Sequence, residues 1–168
     1  DAKRGDIGNT GLHYANAFFN HFNCDAITVS PYMGEESIEP FISNPSKGAY
    51  ILCRTSNKSS TFIQEEIYSK VISLCEALNN QQNIGLVVGA TNDDALMQVR
   101  NSTDLPFLIP GIGAQGGDLQ SVLKINEKNM DTTLINVSRG IIFSGNKDDD
   151  SIRNSAKQYL NQLRGLNG

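Results

Sequence analysis

The sequence opens with two carboxylates around one ammonium, in the order Asp1, Lys3 and Asp6. Asp1 and Lys3 are two positions apart, so on a β-strand their side chains point to the same face, and Asp6 follows Gly5, where the chain can turn sharply. Such an array keeps the ammonium charged, so that it can donate a proton while a carboxylate repels a substrate anion. The same spacing is also typical of an exposed Asp–Lys ion pair, and the motif alone does not separate the two interpretations.

Two later segments offer the groups of a phosphate site. Residues 110–118 are rich in glycine and precede a predicted helix, so backbone N–H groups and the positive end of the helix can approach an anion. Gln115 can add an amide hydrogen bond, and Ser138 and Arg139 follow the last predicted strand. Each segment alone is also consistent with a structural turn, but barrel phosphate sites typically use the loops after strands seven and eight. Together they predict a phosphate grip.

The segment Thr55, Ser56 and Asn57 carries hydroxyl and amide groups suited to the polar edge of a base. Ordinary turns have the same composition, so the alternative of a structural turn stays open. The preceding Arg54 is equally well explained as a structural ion-pair partner, and it is left out of the predicted site.

The histidines and cysteines do not form a recognisable metal or disulfide pattern. Cys24, Cys53 and Cys75 contain no CxxC pair and are odd in number, which argues against a disulfide framework or a zinc site and favours a reducing, cytoplasmic location. Cys53 lies in an apolar run and is predicted to be a small buried hydrophobe. His13 and His21 share a helical stretch with aromatic residues, and we predict packing or surface positions for both.

Composition excludes several classes of partner. The chain of 168 residues is 39% hydrophobic with a net charge of -4, and no Lys/Arg cluster stands out, so neither nucleic acid nor an anionic membrane is an expected partner. A small molecule or another protein is expected. Apolar runs such as residues 107–109 fall far short of the roughly 20 residues that cross a bilayer, and the charged first residues are not those of a signal peptide.

Short apolar runs alternate with segments of helical spacing, which is the pattern of a parallel α/β sheet. The predicted strands cover residues 26–29, 49–53, 85–88, 106–109 and 133–137. The predicted helices cover about residues 11–22, 35–42, 62–79, 93–100, 119–126 and 151–163. Asn92 or Asp93, and Ser151, are the predicted helix caps. The candidate site residues follow the strands, so they are expected to share one rim of the sheet.

Length sets a further expectation. A complete eight-stranded (β/α) barrel needs about 250 residues, whereas this chain offers about five βα units and the tail of an earlier strand. An unclosed barrel leaves two sheet edges unpaired, so we expect Asp1 to be an internal residue of a longer gene product. An open flavodoxin-like sheet is the alternative that explains the length, but it does not explain the particular loops.

Six segments in order resemble the orotidine 5'-monophosphate (OMP) decarboxylases. They are residues 1–10 (DAKRGDIGNT), 25–34 (DAITVSPYMG), 54–57 (RTSN), 86–91 (LVVGAT), 108–118 (LIPGIGAQGGD) and 136–140 (NVSRG). The resemblance implies an α/β fold of the TIM (β/α)8 barrel class, of which residues 1–168 carry the end of strand 3 through strand 8 as a single domain. It also implies a homodimer with shared active sites and a decarboxylation that uses neither metal nor organic cofactor.

The resemblance also implies catalytic roles for the first motif. Asp1 is similar to the carboxylate that faces the substrate carboxylate, and Lys3 to the proton donor to C6 of the pyrimidine. Asp6 is similar to the carboxylate that one subunit contributes across the dimer interface. The physical sense is that a fixed ammonium favours the C6 carbanion more than it favours the starting carboxylate.

Binding roles follow from the same resemblance. Thr10 is similar to the residue that reaches the neighbouring subunit's ribose, and Ser56 to the reader of the pyrimidine edge. Gln115 and Arg139, with the backbone around Ser138, resemble the phosphate grip. The expected ligand is the nucleotide OMP or its product UMP.

The family also has amino-terminal strands, which carry a ribose-binding Asp and a second Lys, and this chain has no match for them. We therefore expect that segment as a partner of this chain and negligible turnover from the 168 residues alone. Two other functions stay open: a sugar-phosphate barrel decarboxylase, which typically needs magnesium, and a nucleotide-binding module without chemistry.

Overall fold

The computed structural model describes residues 1–113 and 115–165; Ala114 of the glycine-rich segment and residues 166–168 of the predicted domain lie outside the described residues. Five strands form one parallel sheet in sequential order, from β1 to β5. They are β1 (Ala26–Val29), β2 (Gly48–Arg54), β3 (Ile84–Val88), β4 (Phe107–Pro110) and β5 (Thr133–Asn136). All five were predicted, and every strand boundary agrees to within one residue.

Helices connect the strands and cover the sheet. They are α1 (Gly8–Asn16), which continues as a π-helical turn (Ala17–His21), α2 (Glu39–Ile42), α3 (Thr61–Leu78), α4 (Asp93–Arg100), α5 (Leu119–Ile125), α6 (Arg139–Ile142) and α7 (Asp149–Leu163). Three 3-10 turns, Glu35–Ser37, Lys58–Ser60 and Glu127–Thr132, complete the connections. No helix within the described residues is long and apolar enough to cross a membrane.

The structure corrects three details of the predicted helices. The stretch over residues 35–42 is a 3-10 turn followed by the short α2, and α6 lies where a loop was expected after β5. Ser151 does not cap α7; the carboxylate of Asp148 accepts from the Ser151 backbone N–H at 2.8 Å, so α7 begins two residues earlier than predicted. Asn92 caps α4 as predicted, because its side chain accepts from the Ala95 N–H at 3.0 Å.

The core is densest around the middle of the sheet. All five residues of β3 are buried, since β-branched and leucine side chains face neighbouring strands and helices on both sides. Exposure alternates along β5, because Ile135 packs against the core and Leu134 on the opposite face is exposed. The sequential order β1 to β5 excludes a flavodoxin-like sheet, whose strand order changes direction, and fits part of a (β/α) barrel.

Candidate active site

Asp1 and Lys3 form one charged group beside the carboxyl end of β1. The Lys3 Nζ lies 2.6 Å from both carboxylate oxygens of Asp1. Thr28 of β1, only 3% exposed, accepts from the Lys3 backbone N–H and donates to Asp1 Oδ1, both at 2.9 Å. A buried hydroxyl therefore fixes both partners, although the Lys3 side chain is 48% exposed and open to a ligand.

Three expectations about this motif need correction. Lys3 has a φ of +50°, so Asp1 and Lys3 do not alternate along a regular strand; Thr28 and the ion pair bring them together instead. The predicted tail of an earlier strand is a single bridge between Arg4 and Val29. Asp6 accepts from the Ile7 N–H at 2.9 Å and makes no ion pair with Lys3. Within one chain, as far as the described residues extend, the ammonium is therefore paired with one carboxylate and not flanked by two.

Ser56 and Gln115 meet although they are far apart in sequence. The Ser56 Oγ lies 2.7 Å from Gln115 Oε1, and Thr91 Oγ1 donates to the Ser56 carbonyl oxygen at 3.0 Å. Gly89, just after β3, allows this approach, because a Cβ there would lie 2.7 Å from the Ser56 backbone nitrogen. The loops after β2, β3 and β4 therefore converge, as predicted from their positions after parallel strands.

The loop that carries Ser56 is held from outside by α3. Gln64 Oε1 accepts from the Thr55 N–H at 2.7 Å, and Gln64 Nε2 donates to the Thr55 hydroxyl at 3.0 Å. Arg54 is buried, lies 3.8 Å from Glu65 and stacks on Tyr68, which confirms it as a structural ion-pair partner. Sequence reasoning missed Gln64, which belongs to no motif, and gave no role to Thr91, although Thr91 ends the segment 86–91 (LVVGAT).

The glycine-rich segment closes on itself after β4. The Gly113 N–H donates to the Gly117 carbonyl at 3.2 Å, and the Gly117 N–H donates to the Gly111 carbonyl at 3.0 Å. Gly113 and Gly116 have φ values of +73° and +93°, which side chains rarely adopt. The predicted turn is therefore present, and its shape requires glycine.

The helix that follows this turn is not a free anion site. Asp118 caps α5 by accepting from the Ser121 N–H at 2.8 Å, and this hydrogen bond lowers the pKa of the Asp118 carboxyl. A carboxylate already occupies the positive end of this seven-residue helix. The Asp118 carboxylate therefore competes with an anion for the α5 terminus, and the Gln115 amide remains a candidate donor.

Ser138 and Arg139 lie beside the glycine-rich turn. The Ser138 carbonyl accepts from the Ile141 and Ile142 N–H groups of α6 at 3.1 and 2.9 Å, and Arg139 is exposed at the start of that helix. The phenol oxygen of Tyr159 lies close to Gly113 of one segment and Gly140 of the other, since a Cβ added to either glycine would lie within 2.7 Å of it. The structure therefore brings together the two segments that the sequence predicted as one phosphate grip.

The cysteines and histidines lie apart from these groups. Cys53 is 2% exposed, which confirms the prediction of a small buried hydrophobe, and burial raises the pKa of its thiol to about 12. His13 and His21 are exposed on the first helix. In the part of the chain that the structure describes, no group of three or more His, Cys, Asp or Glu residues could hold a metal ion.

Comparison with known proteins decides the family. The model of the orotidine 5'-phosphate decarboxylase / HUMPS family matches residues 1–151. The chain belongs to this family. The orotidine 5'-phosphate decarboxylase of Dehalococcoides mccartyi strain CBDB1 is 45% identical over 176 residues, which cover 98% of this chain and 64% of the relative. The enzyme of the same name from Natronomonas pharaonis is 46% identical over 153 residues, covering 86% of this chain and 56% of the relative.

The structures of the orotidine 5'-phosphate decarboxylase family also share the fold. The Leishmania donovani OMP decarboxylase superposes with a TM-score of 0.84 at 38% identity, covering 99% of this chain and 66% of that one. This confirms the resemblance and the prediction of part of a TIM barrel. The chain thus spans between 56% and 64% of the length of the two curated relatives above.

Proposed function

We propose that this chain supplies the lysine and the phosphate grip of an OMP decarboxylase, which converts OMP to UMP and carbon dioxide in pyrimidine nucleotide synthesis. The observation that carries the proposal is the Asp1–Lys3 pair, held at 2.6 Å by a buried threonine on the rim where the other candidate loops converge. Family membership supports the same activity, since residues 1–151 match the family model.

The chemistry follows from the charges. Loss of carbon dioxide breaks the bond between C6 and the carboxylate and leaves the electron pair on C6, where it is poorly delocalised. The Lys3 ammonium stabilises that charge and then delivers a proton from Nζ to C6. Asp1 lies close to the substrate carboxylate, so it disfavours the bound substrate more than the carbanion that follows. The proposed reaction needs no metal and no organic cofactor.

The other end of the nucleotide is proposed to lie against Gln115, Arg139 and the backbone near Ser138. The Ser56 hydroxyl donates to the Gln115 amide oxygen at 2.7 Å, which leaves the Gln115 NH2 group free to donate to a phosphate oxygen. The lone pairs of Ser56 can then accept from the pyrimidine ring. Binding energy from the distant phosphate can in this way hold the substrate carboxylate against Asp1.

The partners of the chain are part of the proposal. Asp6 and Thr10 lie at the start of α1, where Thr10 is exposed and Asp6 does not pair with Lys3 of its own chain. They are proposed to reach the active site of a second subunit, so that a homodimer shares its sites. We propose a cytoplasmic location, with which the free thiols of Cys24, Cys53 and Cys75 are consistent.

Substitution of Lys3 tests the proposal. In the longest natural polypeptide that contains this chain, Lys3→Ala should lower kcat for OMP by about 10³-fold, because the proton donor and the fixed charge are both lost. Affinity for UMP, measured by calorimetry, should change far less. Lys128→Ala, on a 3-10 turn away from the rim, is the matched control and should keep full turnover.

Three results would contradict the proposal. Turnover that survives Lys3→Ala removes the lysine from the mechanism, and wild-type protein that binds UMP without turnover is a binding module. Wild-type turnover that a chelator abolishes indicates the magnesium-dependent sugar-phosphate class. The 168 residues alone should show negligible turnover, whereas the longer polypeptide should be active.

A further inference from the structure

One tyrosine contacts both segments of the proposed phosphate grip. A Cβ built on Gly113 would lie 2.7 Å from the Tyr159 phenol oxygen, and one built on Gly140 would lie 2.6 Å from the same atom. Both distances are shorter than a real Cβ tolerates, so only glycine fits at either position while Tyr159 stays in place. The phenol is therefore wedged between the turn after β4 and the start of α6.

Two further hydrogen bonds fix α7 against α6 near Tyr159. The Ser155 hydroxyl, one turn before Tyr159, donates to the Gly140 carbonyl at 2.8 Å. The Ser144 hydroxyl donates to the Ser151 carbonyl at 2.9 Å, which ties the end of α6 to the first turn of α7. Tyr159 is half-buried and packs against the hydrophobic core, so its ring is fixed from behind. The wedge is thus part of a rigid helix and not a loose surface contact.

We propose that Tyr159 is a positioning residue, which sets the spacing between the two phosphate-binding turns and thereby the preference for a 5'-phosphate. The inference rests on the proposed function and extends it to α7, which begins near the end of the matched family region, residue 151. Tyr159 acts through the backbone of Gly113 and Gly140 and does not itself touch the nucleotide.

The physical basis is preorganisation. A turn built on glycines with positive φ has many conformations of similar energy, and a ligand that selects one of them loses affinity to ordering. A rigid phenol against both turns limits those conformations before the ligand binds. Loss of the phenol should therefore weaken contacts to the phosphate and leave contacts to the base and ribose unchanged.

A comparison of UMP, which carries a phosphate, with uridine, which does not, distinguishes a positioning role of Tyr159 from a general loss of structure. Tyr159→Ala in the full polypeptide should raise the inhibition constant of UMP against OMP turnover at least tenfold, and that of uridine by less than twofold. The KM for OMP should rise together with the inhibition constant of UMP. Leu160→Ala, a matched truncation of the next residue, which is 41% exposed, should change neither constant.

A pair of compensating substitutions keeps the test sharp if Tyr159→Ala fails to fold. Gly140→Ala alone should weaken UMP, because its new Cβ displaces the phenol and with it the support of Gly113. Tyr159→Phe in the same chain should restore part of the affinity, since it removes the oxygen 2.6 Å from that Cβ and keeps the ring, whose Cζ lies 3.3 Å away, between the two turns. Tyr159→Phe should rescue Gly113→Ala less well than Gly140→Ala, because the φ of +73° at Gly113 stays unfavourable for alanine.

The results distinguish a failure of the inference about Tyr159 from a failure of the decarboxylase proposal. Equal weakening of UMP and uridine, unchanged UMP inhibition in Tyr159→Ala, or no rescue of Gly140→Ala by Tyr159→Phe overturns the inference about Tyr159 and leaves the decarboxylase proposal standing. Wild-type protein that neither binds UMP nor decarboxylates OMP overturns both.

Discussion

Arg100 at the amino rim of the sheet and Lys3 at its carboxyl rim are held in opposite ways. At the amino rim, Arg100 is 8% exposed, and its guanidinium lies 3.4 Å from the ring centroid of Phe107, the first residue of β4. It donates to the carbonyls of Thr103 and Leu105, each at 3.2 Å, and to the Asn126 side chain at 3.0 Å. At the carboxyl rim, the cation of the proposed site is half exposed and has a single carboxylate partner.

The difference shows where the fold uses polar groups for stability and where it leaves them for a ligand. Burial lowers the pKa of Arg100 to about 10, so the group still carries its charge at neutral pH and depends on its internal partners. The loops at the carboxyl rim are held by hydrogen bonds between exposed side chains, such as Ser56 with Gln115, and by glycine turns. Substitutions at the two rims should therefore separate stability from function.

The largest effect on stability is expected at the amino rim. Arg100→Ala should lower the free energy of unfolding by about 3 kcal/mol, because it leaves a cavity over Phe107 and removes the donor to two buried carbonyls. Urea denaturation measures the loss, and kcat per folded molecule should be unchanged. Arg153→Ala, an exposed arginine that is 3.1 Å from Asp150, is the control and should cost less than about 0.5 kcal/mol. A lower kcat in Arg100→Ala would show that the rims are coupled.

Most of the fold could be predicted, because the strands carry their own signal. The run IGLVV of β3 contains no polar residue and is rich in β-branched residues, which is typical of a strand buried on both faces, and the structure buries all of it. The short α6 could not be predicted, since its four residues lack a helical period and depend on contacts with α7.

The site could be predicted where a motif marks it and not where packing alone makes it. Gln115 and Arg139 stand in glycine-rich segments after strands, a pattern that is visible in sequence. The contributions of Gln64, Thr91 and Tyr159 rest on contacts between residues that are distant along the chain. The spacing of Asp1 and Lys3 predicted correctly that they pair. It did not predict that the Thr28 hydroxyl on β1 holds the pair together.

Substitution of two glycines at opposite rims tests the comparison directly and is expected to give the next largest effect. Gly89→Ala at the carboxyl rim should weaken UMP roughly tenfold, about 1.4 kcal/mol, because the new Cβ would meet the Ser56 backbone nitrogen at 2.7 Å. Gly48→Ala at the start of β2 should leave UMP affinity unchanged, since its nearest contact, Asn83 O, is 3.3 Å away. Calorimetry with UMP measures both variants. Equal losses would mean that the sheet transmits strain between its rims.

A helix cap near the carboxyl rim gives a smaller effect, and on stability. Asn92→Ala should lower the free energy of unfolding by about 1 kcal/mol, because the Ala95 N–H loses its acceptor. Thermal denaturation measures the shift, with Asn101→Ala at the exposed other end of α4 as the control. A larger change in UMP affinity than in stability would place this cap within the site and blur the division between the rims.

The rate of thiol labelling measures how easily the structure opens near each cysteine. We expect this to be the smallest difference between the two rims. Cys53 near the end of β2 and Cys75 on α3 are buried, and burial raises the pKa of each thiol to about 12, so at pH 8 almost no reactive thiolate is present. A disulfide reagent should therefore modify the partly exposed Cys24 first, and the other two only as the whole domain unfolds. Cys24→Ser protein should show no fast phase. Modification of Cys53 well before Cys75 would show that the carboxyl rim opens on its own, because Cys53 is the last residue but one of β2, which leads into the loop that carries Ser56.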